Sequence, residues 1–280
     1  MKLSIVSRGR NDNYGNYYIE RTRFCLERYI DIFKELNLTP NNIEVVFVDW
    51  GSDKPLYDIM PNSNGFIRYI MVPKQITENF DPPDSKFSFV HSINTGIARC
   101  KGKHIVHVDF DIYTDPNSMK NLLAYVDSSE ADSYQHYFTR FAINPSDYIK
   151  FFSGDTNYYN HNIVREKEIP DISGIMNFCG GATGIMISKD NWFKIRGYDE
   201  RYIYWGAQDT DLFTRLSHMG LPSKNLSRTN DVRFIHMEHN RILNLQNTNN
   251  PKLNPRQRSI TGANDENWGL QNLKFQEVIV

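Results

Sequence analysis

The sequence predicts an α/β fold with a mainly parallel, doubly wound sheet and helices on both of its faces. Strand-like and helix-like segments alternate over residues 1–110, as they do in βαβ units. Residues 43–49, IEVVFVD, form the near-continuous apolar run that is typical of a strand buried on both faces. With 280 residues, 40% of them hydrophobic and 13% aromatic, the chain can fill the core of one large domain.

The elements of the first half follow from local patterns. Residues 3–7 are an apolar strand that runs into the polar loop SRGRNDNYG. From Tyr18 to Leu36 apolar residues recur every three or four positions, with one gap, which predicts an amphipathic helix. Further strands are predicted at residues 43–49, 66–72 and 103–109, with a helix over residues 87–100 that Gly102 ends.

The second half is less regular. Strands are predicted at residues 131–141, 182–188 and 232–238, and a helix at 209–219. Residues 239–267 are rich in Asn, Gln and Pro and are predicted to form a long loop.

Composition excludes several classes of protein. Lys plus Arg number 32 and Asp plus Glu 33, so bulk charge does not favour nucleic acid. Cys25, Cys100 and Cys179 are odd in number and widely spaced, which argues against a disulfide framework and favours a reducing compartment. No apolar run reaches the ~20 residues of a membrane span, so we expect a soluble chain, with peripheral membrane contact left open.

The segment VHVDFDIYTDP, residues 106–116, is the most informative. If the strand continues through it, Asp109 and Asp111 point to the same face at its carboxyl end. Paired carboxylates repel unless a cation lies between them, and a divalent metal carrying a diphosphate is a common solution. From these residues alone, a plain turn is an equally good interpretation.

Other polar residues are predicted at the same edge, because ligands bind at the carboxyl ends of strands in such sheets. Ser7, Arg8 and Arg10 follow the first strand, and guanidinium groups suit a diphosphate. Asp49 ends the second strand and would accept hydrogen bonds from a base or ribose. The alternatives are a solvated charged loop and an N-cap for a helix beginning near Pro55.

Two later segments carry groups suited to chemistry. In HMEH, His236 or His239 would complete a metal site begun by Asp111; on a strand their spacing puts them on opposite faces. In YWGAQDTDLFTRL, Asp209 would be a general base at a helix start, beside a sugar-stacking platform. The alternatives are structural histidines and an N-cap aspartate.

The sequence resembles nucleotide-sugar-dependent glycosyltransferases of the GT-A fold. It is most similar to the group that shares the β-1,4-galactosyltransferase type of C-terminal region, which includes chondroitin-polymerase-like enzymes (family 2 and family 7 C-terminal type). Over residues 3–239 four segments occur in the family's order: VSRGR, KFSFVHSINTGI, VDFD and FCGGATGIMISKDNWFKIRGYDERYIYWGAQDTDLFTRL. In that order, they resemble the family's donor-binding loop, its KF…N-G segment, its DXD motif and its GG…WGxxDxD block.

The resemblance implies a single GT-A (Rossmann-like) domain over residues 1–280 with a smaller acceptor-side region in its second half. Residues 1–115 would bind the nucleotide, 116–240 would hold the acceptor and catalytic groups, and 241–280 would be a flexible loop and tail. We expect residues 240–264 to close over the donor as a lid.

The resemblance also implies residue roles. Asp209 would be the catalytic base, and the metal, Mn²⁺ or Mg²⁺, would bind Asp111 and His236 or His239. The donor would contact Ser7, Arg8, Arg10, Asp49, Lys86, Asn94 and Asp109, with Asp109 nearest the ribose. The transferred sugar or acceptor would contact Gly180, Gly181, Trp205, Gly206 and Gln208. Gln208 departs from the family, which usually has an acidic residue there.

The implied function is an inverting, metal-dependent transfer of a hexose from a UDP-sugar to a carbohydrate acceptor, in surface polysaccharide or glycan synthesis. Because the chain shows no membrane anchor or disulfides like those of Golgi members, we expect a bacterial or viral cytoplasmic enzyme, with no nucleic-acid partner. The alternatives are a nucleotidyltransferase and a catalytically degenerate carbohydrate-binding or partner protein.

Overall fold

The computed structural model describes residues 1–12, 14–83, 85–152, 165–166, 183–204, 206–239 and 259–280. Its first half follows the predicted alternation of strands and helices. The elements in order are β1 (Leu3–Gly9), α1 (Tyr18–Glu35), β2 (Ile43–Trp50), β3 (Ile67–Val72), α2 (Lys74–Thr77), α3 (Phe89–Ile97) and β4 (His104–Val108).

The second half contains shorter elements. They are β5 (Ile112–Thr114), α4 (Pro116–Val126), β6 (Gln135–Tyr137), β7 (Arg140–Ile143), α5 (Pro145–Phe152), β8 (Arg165–Glu166), β9 (Gly184–Ser188), α6 (Lys189–Lys194), α7 (Gln208–His218), β10 (Ser223–Asn225), α8 (Leu226–Asn230), β11 (Phe234–Met237) and β12 (Gln276–Ile279).

The main sheet has the strand order β10-β6-β9-β4-β1-β2-β3-β12 among the described residues. Its centre is parallel: β1 lies between β2 and β4, and β2 pairs with β3 in the same direction. The flanking strands β9 and β12 run antiparallel to β4 and β3. The parallel centre confirms the predicted fold class and gathers the ends of β1, β2 and β4 at one edge.

Both faces of this sheet are covered. Along β2, Val45 belongs to a core cluster that includes the apolar face of α1, and Val46 belongs to a second cluster that includes α3. Every residue of β2 is buried. The near-continuous apolar run in the sequence therefore reflects a strand with a hydrophobic layer on each side.

A second, smaller sheet has the order β5-β11-β7-β8. Strand β11 runs antiparallel to β5 and parallel to β7. One long strand had been predicted over residues 131–141, but the chain forms β6 in the main sheet and β7 in the small one. Strand structure is therefore confirmed in this aromatic-rich segment, but one continuous strand is wrong, because the chain changes sheets between Tyr137 and Arg140.

The strand that carries the acidic pair is also shorter than predicted. Strand β4 ends at Val108, and residues 109–111 turn the chain from the main sheet into β5 of the small one. The assumption that Asp109 and Asp111 project together from one strand is therefore wrong. The turn instead sends the two carboxylates to different partners.

The C-terminal residues complete the main sheet, because β12 adds to β3 and a 3₁₀ helix at Trp268–Leu270 packs against α3. Most of the predicted loop over residues 239–267, and with it most of the expected lid, lies outside the described residues. Among the helices that are described, none has the length and apolar character needed to cross a bilayer.

Candidate active site at the carboxyl edge of the sheet

Asp111 faces two histidines. The register of the small sheet places His236 opposite Ile112, and the amide of Met237 donates to the Asp111 carbonyl over 3.0 Å. His236 Nε2 lies 3.6 Å from Asp111 Oδ1, and His239 Nε2 lies 3.3 Å from Asp111 Oδ2. Because β11 ends at Met237, the chain turns before His239, and both imidazoles reach the same carboxylate. The expectation that they would lie on opposite faces is wrong.

The cluster of Asp111, His236 and His239 fits a divalent metal. One ligand atom from each residue lies within 4.8 Å of the others. Asp111 is 1% exposed, and its Oδ1 is buried without a hydrogen-bond partner. A buried carboxylate oxygen with no donor is costly, and a cation bound there would remove that cost. One carboxylate and two imidazoles are a ligand set that suits Mn²⁺ and related ions.

The other oxygen of Asp111 is occupied by Arg21. The Arg21 guanidinium is fully buried, pairs with Asp111 Oδ2 and donates to the carbonyl of Tyr14 over 2.7 Å. This pair anchors the start of α1, whose first residues have no side-chain cap. Sequence reasoning missed Arg21, because its position in an amphipathic helix gave no sign that it faces the site.

A second group of polar atoms lies at the carboxyl ends of β1 and β2, where Ser7 and Asp49 are strand residues. Asp49 is 1% exposed; its Oδ2 accepts a hydrogen bond of 2.8 Å from the amide of Leu56, which starts a 3₁₀ turn. Its Oδ1 and the Ser7 hydroxyl are both buried without a partner in hydrogen-bonding geometry. Burial raises the pKa of Asp49. Asp49 therefore accepts from the first amide of this turn, although the N-cap position itself is Pro55, and its Oδ1 is left without a partner.

Gly9 leaves room for the Tyr18 ring to pack against the end of β1. A Cβ on Gly9 would lie 1.7 Å from the Tyr18 hydroxyl oxygen. Tyr18 is 2% exposed, so it cannot swing away without loss of packing. Gly9, the last residue of β1, is thus required for the close approach of α1 to β1.

The two arginines of that loop have separate contacts. Arg8 Nη1 pairs with Asp109 Oδ1 over 2.6 Å, and its guanidinium carbon lies 3.9 Å from the centre of the Phe89 ring. Arg10 is 8% exposed and donates to the carbonyl of Lys86 over 2.9 Å. Arg8 is thus held by Asp109, and Arg10 links the loop to the chain before α3; the side chain of Lys86 is exposed.

Asp209 lies in the first turn of α7. The N-cap of this helix is Ala207, with no side-chain cap, so the interpretation of Asp209 as an N-cap is wrong. Burial and the nearby charge of Asp109 raise the pKa of Asp209 to about 6, against the opposing effects of Arg8 and of the Tyr198 hydroxyl. A carboxylate whose pKa lies just below neutrality is suited to accept a proton at physiological pH.

Asp109 lies between the two halves of this edge. The charge of Asp109 raises the pKa of Asp209. Burial alone would raise the pKa of Asp109, but the nearby Arg8, His107 and His236 lower it below its usual value. The side chain keeps 44% of its surface exposed. The structure therefore brings the base candidate, Asp109 and the metal cluster into one electrostatically coupled site.

Other predicted residues are placed as follows. Gln208 is buried, and its Oε1 accepts a hydrogen bond of 2.6 Å from the Gly206 amide, which shapes the turn before α7. Asn94 is fully buried, and its amide bonds to the backbone of Tyr198 and to Glu200. Asn94 was predicted to contact the donor, but in the structure its side chain holds the backbone of Tyr198. Gly180, Gly181 and Trp205 lie outside the described residues.

Two further residues of the site were not predicted. His107 lies on β4 two residues before Asp109, and Tyr198 follows α6; their Nδ1 and Oη atoms are 2.8 Å apart. The sequence contains a signal for His107, because a histidine in a buried strand two positions before an edge aspartate faces the same side. Tyr198 lies in the segment GYDE and gives no such signal alone.

Comparisons with known proteins find similar chains by sequence and by fold. The chain is similar to beta-1,4-galactosyltransferase 7 of Drosophila melanogaster, with 28% identity over 105 residues. The matched segment covers 36% of this chain and 30% of that protein. The chain thus spans under a third of that curated relative. The catalytic domain of the Drosophila enzyme, solved with xylobiose, aligns over 98% of this chain and 85% of its own, at 14% identity and a TM-score of 0.49.

The solved structure of S. aureus TarS aligns over 85% of this chain and 37% of its own, at 13% identity and a TM-score of 0.51. Together with the sheet order, this likeness defines the fold as that of the GT-A glycosyltransferases. The sequence profile of the glycosyltransferase-like family 2 matches residues 16–244, most of the chain. The protein belongs to that family.

Proposed function

We propose that the protein is a metal-dependent, inverting glycosyltransferase that moves a sugar from a UDP-sugar to a carbohydrate hydroxyl. The observation that carries the proposal is the separation of two kinds of carboxylate along one edge of the sheet. Asp111 faces two histidines, while Asp209 is partly buried in the first turn of α7, and desolvation together with the charge of Asp109 raises its pKa to about 6. The first arrangement suits a cation, and the second suits a proton acceptor.

Donor recognition would use the ends of β1 and β2. This is supported by the buried, unpartnered oxygen of Asp49 and hydroxyl of Ser7, which would form hydrogen bonds with the nucleoside. Arg10 donates to the Lys86 carbonyl, and the two residues would supply positive charge for the diphosphate.

Asp111, His236 and His239 would hold the metal. When bound, Mn²⁺ or Mg²⁺ would neutralise the charge that develops on the leaving diphosphate. The carboxylate of Glu238 lies 3.6 Å from His236 Nδ1, on the side away from Asp111. Arg140 Nη2, which pairs with Glu238, lies 3.4 Å from the same nitrogen, so Arg140 and Glu238 together would hold the His236 ring with Nε2 directed at the cluster.

Asp209 would accept the proton of the acceptor hydroxyl as that oxygen attacks the anomeric carbon from the side opposite the diphosphate. This displacement inverts the anomeric configuration and needs no covalent intermediate. Asp209 is poised for this because it is charged above a pH of about 6, yet it is basic enough to take a proton. Gly206 and Gln208, which shape the turn before α7, would border the acceptor sugar, together with Gly180, Gly181 and Trp205.

The test is a panel of UDP-, GDP- and TDP-sugars with Mn²⁺, measured by thermal shift and by release of the nucleoside diphosphate. We expect that, of the three classes of donor, only the UDP-sugars stabilise the protein. Without an acceptor they should be hydrolysed slowly, because water can replace the acceptor hydroxyl. Equal stabilisation by all three nucleotides would contradict the assignment of the donor. Release of pyrophosphate in place of UDP would show a nucleotidyltransferase, and binding without any turnover would show a degenerate binding protein.

A further inference from the structure

Every acidic side chain on the two segments that form the metal-binding cluster is paired with an arginine. These segments are residues 109–111 and 236–239. The pairs are Asp109 with Arg8, Asp111 with Arg21, and Glu238 with Arg140. Each pair carries no net charge, so the three pairs together would not offset the two positive charges of a divalent cation. A cation bound in the cluster would therefore be balanced by an anion that arrives with it.

Arg21 differs from the other two arginines, because it pairs with a member of the cluster and is fully buried. The side chains of Arg21 and Asp111 are 0% and 1% exposed, so solvent ions screen their charges only weakly. A guanidinium stays charged and only donates, so Arg21 cannot relieve its repulsion of a cation by losing a proton. It takes Asp111 Oδ2 and leaves Oδ1, which lies 3.6 Å from His236 Nε2, without a hydrogen-bond partner.

The remaining donors of Arg21 are bound by the loop before α1. Nη2 donates to the carbonyl of Tyr14 over 2.7 Å, and Nε donates to the carbonyl of Asn16 over 3.2 Å. The Tyr14 ring meets the His239 ring edge-on, with the ring centres 5.2 Å apart. Asn16 and Tyr17 both have positive φ, which side-chain-bearing residues keep only where the surroundings hold them. The guanidinium is thus fixed on three sides, and its charge stays beside the cluster.

We propose that Arg21 makes the cluster select a cation that is bound to a diphosphate over a cation alone. Its charge repels a cation at Asp111 and attracts the diphosphate of the donor. Because Arg21 is fully buried, it acts through its charge and through the carboxylate that it holds, as a positioning residue. This role rests on the proposed function, because it assumes that Asp111, His236 and His239 hold the metal; the three ion pairs do not depend on it.

The test measures two affinities that a merely structural defect would weaken together. Titration calorimetry gives the Kd of Mn²⁺ without nucleotide and the Kd of UDP at saturating Mn²⁺. Arg21→Gln removes the charge but keeps a donor for Asp111. We expect this variant to bind Mn²⁺ at least about tenfold more tightly and UDP about tenfold more weakly, because one positive charge is lost beside both ligands. Any result other than these opposite changes in a folded Arg21→Gln protein would overturn the proposal.

Two control variants separate charge from packing. Arg21→Lys keeps the charge and removes the planar fork, so both affinities should stay within about threefold of wild type. Arg68 and Glu44 form a matched buried pair at 2.9 Å, 4% and 5% exposed, near the amino ends of β3 and β2 and thus at the opposite edge of the sheet. Arg68→Gln should leave both affinities in place. Opposite changes in either control as large as those of Arg21→Gln would overturn the proposal.

A measurement on the wild-type protein does not depend on a variant that folds. Saturating UDP should tighten the binding of Mn²⁺ at least about tenfold, and equal Mn²⁺ affinity with and without UDP would overturn the proposal. If the wild-type protein binds no Mn²⁺ in either condition, the proposed metal-dependent transfer fails, and the role of Arg21 fails with it. If it binds Mn²⁺ and UDP as expected while Arg21→Gln changes neither affinity, only the role of Arg21 fails.

Discussion

Replacement of Asp209 by Asn should stabilise the protein while it removes transfer. The wild-type carboxyl is buried near the like charge of Asp109, so its ionised form is disfavoured in the folded state. Asn has nearly the same shape and cannot ionise. The ionised Asp209 carboxylate thus lowers the stability of the folded protein. Such destabilising residues are typical of positions that activity requires.

The size of the effect follows from the pKa. The pKa of Asp209 is raised from 3.8 to about 6, so the folded protein binds this proton more tightly than the unfolded chain does. At low pH both states are protonated and the group has no effect. As pH rises from about 4 to 6 the unfolded state loses its proton first, and the free energy of unfolding falls by up to about 3 kcal/mol. Above pH 6 the loss is constant.

Urea unfolding of the wild-type and Asp209→Asn proteins at pH 5 and pH 8 measures this difference. We expect the variant to be more stable at both values and the gap to be larger at pH 8, by about 1 kcal/mol or more. The control is Asp190→Asn, an exposed aspartate in the first turn of α6, where a change within about 0.5 kcal/mol is expected. A variant no more stable than wild type at pH 8 would refute the reasoning.

Three further predictions concern activity, the metal and packing. The rate of donor turnover should rise about tenfold per pH unit below about pH 6 and level off above it, because Asp209 must be ionised; a flat profile from pH 5 to 8 would exclude it as the base. Saturating Mn²⁺, at about 100 times its Kd, should stabilise the wild-type protein by about 2.7 kcal/mol in calorimetry or urea unfolding, and Asp111→Asn should lose that gain, whereas the exposed His218→Ala should keep it. Gly9→Ala should destabilise the fold by about 1–3 kcal/mol, with Tyr18→Phe in the same protein recovering part of it; an unchanged urea midpoint would show that the contact is not needed.

The elements of the first half could be predicted because each has a strong local pattern. The continuous apolar run of β2 and the helical periodicity of α1 both reflect which faces are buried. The strand β4 was extended too far, because Asp109 and Asp111 alternate with apolar residues as strand residues do. The turn at residues 109–111 depends on the small sheet, whose pairing of β5 with β11 joins segments over a hundred residues apart.

The candidate site was predictable in its residue types and less so in its contacts. Asp111, His236 and His239 were grouped in advance, but the chain turn after Met237 that brings both imidazoles together has no local signal. Asn94 was expected at the donor, and the structure uses it to hold the backbone of Tyr198 instead. Such contacts are set by tertiary packing, which single-sequence patterns do not record.

The central claim is that Asp209 performs the proton transfer, while the cluster at Asp111 holds the leaving group. The direct measurement is the initial rate of UDP release from the UDP-sugar that the panel identifies, for wild type and Asp209→Asn, alongside the affinity of each for UDP with Mn²⁺. We expect the rate to fall by about 10²–10⁴-fold, the usual contribution of a general base, with the affinity unchanged within about twofold. Wild-type turnover by Asp209→Asn would contradict the account.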